Sequence, residues 1–420
     1  MEIKAPRGTY DILPPESLKW QYLERKLRET AALFGYNEIR TPLFEHTELF
    51  ERGVGDTTDI VTKEMYTFLD KSDRSLTLRP EGTASCARSL IENRVFGGVM
   101  PVKWYYIGPM FRYDRPQTGR YRQFHQFGVE VFGSRSPYVD AEVIALLIAI
   151  LAKLGLSDCE LHLNSVGCPD CREVYRERLI AHIAPLKDGL CPDCRSRFDK
   201  NPLRVLDCKE SACQQAVKGF PYIIDSLCSD CAGHYATVKS SLDTMGIKYI
   251  QDNNLVRGLD YYTNTAFEIH IPSIGAQSAV GGGGRYDGLV KACGGPDIPG
   301  IGFALGLERL LLAMANDPQP AWPALDLEVF LAVLDEKYTD AAMHILDCLR
   351  RAGIRADRDY NGRSMKAQMK LANKLGARIV VLMGENEMDQ GIFTVRSMGT
   401  GQQEEIPQQE LIPYINRILG

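Results

Sequence analysis

An α+β region reaching to about residue 324, followed by a small α/β unit over 325–420, is the fold class this sequence predicts, and three observations predict it. First, the run Trp104–Phe132 reads as two apolar and aromatic strands, Val102–Tyr113 and Phe124–Phe132. A loop holding Pro116, Gly119 and four arginines, Arg112, Arg115, Arg120 and Arg122, joins them. Second, segments of helical spacing flank this pair, Ser17–Phe34 before it and about Val139–Leu154 after it. Third, the texture changes from Leu325. Strand-like LEVFLAVL, IRADRDY and RIVVLMG alternate with helical stretches at Thr339–Ala352, Ser364–Leu375 and a last one ending at Leu419, as in a βαβα unit. The segment Ala321–Ala324, AWPA, serves as linker.

Composition bounds the class. The chain has 420 residues, 45% hydrophobic and 25% charged, enough for about two or three globular domains. Its 49 basic and 54 acidic residues give a net charge of −5, so a polyanionic partner must be held by local patches. The opening MEIKAPRGTYDILPPES has no basic segment leading into an apolar core. The longest apolar run, Val143–Ala152, suits a buried helix and is too short for a membrane span. A soluble, cytoplasmic chain is expected.

Taken in order, the first helix stops at Gly35, and the strand-like YNEIRTPLFEHTELF after it contains Pro42, which favours a sheet edge or a subunit boundary. In Thr77–Thr83, TLRPEGT, an extended backbone points Glu81 and Thr83 to one side, where carboxylate and hydroxyl can grip an ammonium group. The plainer reading is Thr83 as the N-cap of the helix that follows, with Glu81 in solvent. On Phe124–Phe132 the two-residue period puts Gln126 and Glu130 on one face around Gly128, two polar groups flanking open space. Leu255–Ile269 places Arg257 and Asp260 beside Tyr261 and Tyr262; Arg257 either meets an anionic ligand or pairs with Asp260. Gly281–Leu289, GGGGRYDGL, lets backbone approach a ligand closely. No Walker A loop and no dinucleotide fingerprint is present. In Gly300–Leu312 a strand turns into a helix with Arg309 near its start, an arrangement suited to phosphate. Between Arg350 and Arg378 stand nine basic and two acidic residues, with Lys366, Lys370 and Lys374 on one helical face; such a patch either holds RNA or is simply solvated.

Twelve cysteines in a chain expected to be cytoplasmic argue for thiols or metal ligands over disulfides. Six of them form C-x-x-C pairs, Cys168 with Cys171, Cys191 with Cys194 and Cys228 with Cys231, and Cys208 and Cys213 can complete a second site. This segment, about 168–235, reads as an inserted subdomain.

Taken together these segments resemble the bacterial-type histidyl-tRNA synthetases of the class II aminoacyl-tRNA synthetase family, from RGTYDILP at Arg7 to the C-terminus. Gly35–Leu43 resembles the dimer motif, the hairpin with Phe111 and Arg112 the second class motif, and Gly306-Leu307-Glu308-Arg309 the third. LVRGLDYY and GGGGRYDGL resemble the two narrower histidine-specific signatures. The resemblance implies a catalytic domain over 1–324 with a mainly antiparallel sheet, and an anticodon-binding domain over 325–420. It implies a homodimeric ligase that activates L-histidine with ATP and Mg²⁺ and transfers it to tRNA(His), with no membrane partner. Glu81, Thr83 and Gln126 would hold the α-ammonium, Glu130 and Tyr262 would read the imidazole, and Tyr261 would complete the pocket. Arg112 and Arg309 would clamp the ATP phosphates, and Arg257 would face the α-phosphate. No residue of this site is assigned as a metal ligand, and the resemblance neither supports nor excludes zinc in the cysteine-rich insertion. Two rivals are a regulatory paralogue, expected to have lost arginines or the C-terminal domain, and an RNA-binding module, which has no use for Glu81, Gln126 and Glu130.

Overall fold

The structure, a computed structural model, describes residues 2–55, 58–198, 202–206, 208, 210–255, 261–316, 322 and 327–419. They divide into two units, Met1–Trp322 and Pro323–Gly420. In the first, helix α1 (Glu16–Leu33) follows the Pro14–Pro15 pair and buries Leu23, Leu27 and Ala31 at helical spacing. The strand expected after Gly35 breaks at Pro42 into β1 (Asn37–Glu38) and β2 (Phe44–His46), because proline has no N–H to donate to a ladder. Helix α2 (Thr47–Val54), β3 (Tyr66–Leu69) and β4 (Ser75–Leu78) follow, and β2, β4 and β3 form a small antiparallel sheet. Helix α3 (Thr83–Glu92) leads to the hairpin of β5 (Val102–Phe111) and β6 (Gln123–Phe132).

After α4 (Pro137–Lys153) and β7 (Glu160–Ser165) comes the insertion, which is helical: α5 (Pro169–Ile183), α6 (Pro192–Phe198), α7 (Ser211–Val217) and the start of α8 (Ser229–Thr244). It has a core of its own around Tyr175, Leu179, Ile183, Phe198 and Ile223. The chain re-enters the main body through β8 (Ile250–Gln251), β9 (Thr263–His270), β10 (Ala279–Arg285), α9 (Leu289–Ala292), β11 (Gly300–Gly306) and α10 (Leu307–Asn316).

The main sheet has the order β1-β5-β6-β11-β10-β9-β7-β8. It is antiparallel from β5 to β7, with β1 and β8 added in parallel at its edges. Alternation gives its two faces opposite characters. Phe127, Val129, Val131, Ile301, Phe303, Leu305, Phe267 and Ile269 point into the large core shared with α1, α4, α8 and α10. Toward the middle of the sheet their strand neighbours on the other face are small or polar: Gln126, Gly128 and Glu130 on β6, Gly302, Ala304 and Gly306 on β11, Gly282 on β10 and Glu268 on β9, while Phe132 at the end of β6 packs in a smaller core with Tyr106 and Tyr286. That face carries the cleft.

In the second unit β12 (Val329–Val333), α11 (Thr339–Arg351), β13 (Ala356–Arg358), α12 (Met365–Lys374) and β14 (Ile379–Met383) form the expected alternation. Helix α13 (Glu385–Gln390) and a hairpin, β15 (Ile392–Ser397) with β16 (Gln403–Pro407), precede α14 (Leu411–Leu419). This hairpin corrects the simpler βαβα expectation and makes a five-stranded sheet, β13-β12-β14-β15-β16. The sheet is covered on both faces, so β12 is buried throughout: Val329 and Leu331 meet α11 and α14, while Phe330 and Ala332 meet α12.

Candidate active site

The floor of the cleft follows from how α3 begins. Gly82 stands at its N-cap with helical backbone angles, so Glu81 and Thr83 are not two residues of an extended segment. The carboxylate of Glu81 folds back instead and accepts the N–H groups of Thr83 and Ala84 at 2.7 and 2.8 Å, taking the capping role that sequence offered to Thr83. Glu81 is therefore buried, not solvated. The Thr83 hydroxyl donates to Glu130 at 2.7 Å, and the Tyr286 hydroxyl donates to the other Glu130 oxygen in a short contact. Tyr106 fits against this floor because positions 82 and 128 are glycines; a Cβ at either would overlap its ring.

Burial pushes Glu130 up to about 8, despite the hydroxyls of Tyr286 and Thr83 that favour its charged form. Burial raises Glu81 as well, opposed by the N–H groups of Ala84 and Thr83. The side-chain oxygen of Gln126 is buried with no hydrogen-bond donor among the described residues. An unmatched acceptor in a cleft that Glu81 also lines is a place for a cation with several N–H donors.

At the other end the hairpin loop brings arginines together. Arg112 donates to the carbonyl of Pro80 at 2.8 Å and lies over the Phe124 ring. Arg309, near the start of α10, donates to the carbonyls of Gly119 and Ala279. Its guanidinium is pulled below its ordinary range, first by burial and then by the like charge of Arg120, with Arg112 adding to it. Clustered guanidinium groups call for a multiply charged anion. Both oxygens of Glu308 accept the His125 backbone N–H, at 2.9 and 3.0 Å, which ties α10 to β6.

These two ends share one cleft of about 420 Å³. Of the residues singled out from sequence, Glu81, Thr83, Arg112, Gln126, Tyr261, Tyr262 and Arg309 line it. Glu130 lies just beneath the floor, 1% exposed. Arg257 and Asp260 fall outside the described residues. Tyr261 packs on Tyr262 and edge-on against Tyr286, with ring centroids 4.8 and 5.6 Å apart. Sequence reasoning passed over Tyr106, Tyr286 and Glu268, which also line the cleft. Tyr106 was legible from the alternation of β5, and Tyr286 sits inside a motif already noted. The arginine of that motif, Arg285, is fully buried and paired with Asp140 and Asp287.

Residues 8–170 and 225–310 match the family model described as histidyl-tRNA synthetase, and residues 328–418 match the one described as anticodon binding domain. A Syntrophomonas wolfei protein named histidine–tRNA ligase is 62% identical over 419 residues, 100% of this chain and 99% of that protein. One of the same name from Desulforamulus reducens is 56% identical over 98% of each. Among solved structures, apo histidyl-tRNA synthetase of S. aureus matches with a TM-score of 0.85 at 43% identity, covering 99% of this chain and 100% of that one.

Proposed function

The chain belongs to the histidyl-tRNA synthetase family, and from that premise we propose that the 420 Å³ cleft is where histidine meets ATP. The enzyme is a histidine–tRNA ligase: it activates L-histidine with ATP to histidyl-adenylate, then transfers the histidyl group to the 3′ end of tRNA, releasing AMP and pyrophosphate. The observation that carries the site assignment is the meeting, within one cleft, of the buried Gln126 acceptor and Glu81 with the guanidinium cluster of Arg112, Arg120 and Arg309.

In this reading Gln126 and Glu81 accept N–H donors of the α-ammonium and Thr83 fixes its approach. Glu130, held by Thr83 and Tyr286, receives an imidazole N–H together with Tyr262, and Tyr261 walls the ring. Arg112 and Arg309 grip the phosphates, leaving the histidine carboxylate to attack the α-phosphorus in line as the bond to pyrophosphate breaks. Arg257 faces the same phosphorus, an assignment supported by the LVRGLDYY segment alone. A ribose hydroxyl of the tRNA end then attacks the carbonyl carbon, and AMP leaves. Both steps concentrate negative charge, which fixed guanidinium groups stabilise without reorganising. The family uses ATP with a divalent metal; Mg²⁺ is the ion assigned here, and the Glu268 carboxylate lining the cleft fits its preference for hard oxygen donors shared with phosphates. Bound there, it would offset phosphate charge.

Residues 325–420 carry anticodon recognition in this reading, and the exposed Lys366, Lys370 and Lys374 on one face of α12 support it. A cytoplasmic homodimer is the assembly proposed; exposed Leu43, Phe44, Phe68 and Leu69 around the small sheet are the apolar surface a second copy would cover. No helix among the described residues is long and apolar enough to cross a membrane.

The test is ATP–pyrophosphate exchange stimulated by each of the twenty amino acids in turn. Exchange with histidine alone is expected. Equal exchange with another amino acid, or none with any, rejects the reading.

A further inference from the structure

We propose that the insertion holds two structural zinc ions, each in a four-cysteine site: Cys168, Cys171, Cys228 and Cys231 in the first, Cys191, Cys194, Cys208 and Cys213 in the second. Spacing alone left three C-x-x-C pairs that can be combined in several ways. The fold decides the partition, because the four Sγ atoms of each set lie within 4.8 Å of one another.

The distances are those of a thiolate tetrahedron. A zinc–sulfur bond of about 2.3 Å requires sulfur atoms about 3.8 Å apart along each tetrahedral edge. Cys168 and Cys171 are separated by 3.6 Å and Cys191 and Cys208 by 3.9 Å. A disulfide needs sulfur atoms at about 2.05 Å, and all eight cysteines are free thiols. Each set has two buried and two less buried members, so an ion would be enclosed on one side and reachable from the other.

Backbone donors are aimed at the sulfurs as they are in a metal-thiolate site. The N–H of Cys228 points at the Cys171 sulfur at 3.1 Å, that of Cys191 at the Cys213 sulfur at 3.3 Å, and that of Cys194 at the Cys191 sulfur at 3.4 Å. In the first site Cys168 and Cys228 are the N-cap residues of α5 and α8, and neither N-cap side chain makes a capping hydrogen bond. Gly167, at φ +65°, turns the chain into this site; a Cβ there would fall 2.7 Å from the Cβ of Cys171.

Placement gives the two ions different tasks. The first site joins the strand-side start of the insertion to the helix by which the chain returns, closing the loop at its base. It is also linked through the backbone to the strand that follows Tyr262: Asn264 exchanges backbone hydrogen bonds with Val166 and Gly167, and Asn264 lies two residues beyond Tyr262. The second site lies wholly within the stretch 171–224 that the family model does not match. Its buried members Cys194 and Cys213 belong to the small core with Tyr175, Leu179 and Phe198. A segment of about 60 residues rarely stabilises itself by apolar burial alone, and metal coordination is a common remedy. Four thiolates in a closed tetrahedron with no water-bearing position select zinc for structure.

Metal analysis of the full-length chain, purified with a thiol reductant and without chelator, tests this. Two zinc ions per chain are expected, falling to one in Cys191→Ser/Cys194→Ser and to one in Cys228→Ser/Cys231→Ser. Histidine-dependent exchange should be unchanged in the first of these variants. Zero or one zinc in wild-type protein supplied with excess zinc overturns the two-site assignment, and bound iron overturns the identity of the metal. Should a variant prove insoluble, the wild-type chain decides: titrating its thiols with a mercurial should release two zinc ions to a chromophoric chelator, and release of fewer counts against the proposal.

Discussion

Glu130 carries the sharpest consequence at the scale of single residues, because its carboxyl is wholly enclosed while its two hydrogen-bond donors are neutral hydroxyls. Burial lifts its titration to about 8. Between the ordinary carboxylate range and that value the native chain keeps a proton that the unfolded chain has lost. Stability should therefore be full at acidic pH and fall as pH rises through this window, by up to about 4 kcal/mol. Glu130→Gln removes the titrating group, so denaturant unfolding at pH 5 and pH 8.5 should show this decline in the native sequence and a smaller one in the variant. An equal decline in both would mean that Glu130 is ionised in the native state without cost. Arg309 and Arg112 yield a kinetic prediction: replacing either by Ala should slow single-turnover adenylate formation about a hundredfold to a thousandfold, some 3–4 kcal/mol. Histidine affinity should move much less. A large loss of histidine affinity with an unchanged rate would place these arginines on the amino acid instead.

Among elements, the join between α4, α8, β9 and β10 depends on one buried carboxylate. Asp140 accepts from Thr265 at 2.6 Å, from His234 at 2.8 Å and from Arg285, which is itself fully buried and also donates to the Ser134 carbonyl. Burial alone would raise Asp140, but His234 and Arg285 together hold it below its usual range. Asp140→Ala leaves the Arg285 charge buried without its main partner and should cost about 3–5 kcal/mol in urea unfolding. A cost under about 1 kcal/mol would show that Asp287 or water replaces the lost partner. The same network explains a motif whose arginine does not reach the cleft: Arg285 holds β10 in register, and the adjacent Tyr286 delivers its hydroxyl to Glu130.

For the whole molecule, the division into units predicts separable activities. A chain ending at Trp322 should keep histidine-dependent exchange and charge tRNA poorly at subsaturating tRNA. Replacing Lys366, Lys370 and Lys374 together by Ala should weaken tRNA binding and flatten its dependence on salt, since each lost phosphate contact removes about one released counterion. Undiminished charging by the shortened chain would move tRNA discrimination to the first unit.

How much of this was legible beforehand depends on the range of the interactions involved. The hairpin, α1, α4, the alternating strands of the second unit and a minority of the cleft-lining residues, Glu81, Thr83, Arg112, Gln126, Tyr261, Tyr262 and Arg309, follow from local periodicity and short motifs, because a two-residue or 3.6-residue repeat is decided by near neighbours. The β15–β16 hairpin was missed because the exposed QEEIP strand shows little of its apolar pattern until β15 is beside it. Glu81 as the cap of α3, the bond from Tyr286 to Glu130 and the partition of eight cysteines into two sets were all beyond the sequence. Each depends on groups far apart along the chain, up to 156 residues for Tyr286 and Glu130, or on a backbone turn that several side chains fix together. The sequence by itself determined which chemical groups the protein owns and which local elements carry them; only the tertiary structure decided which groups meet, because burial and long-range pairing act once the elements have packed.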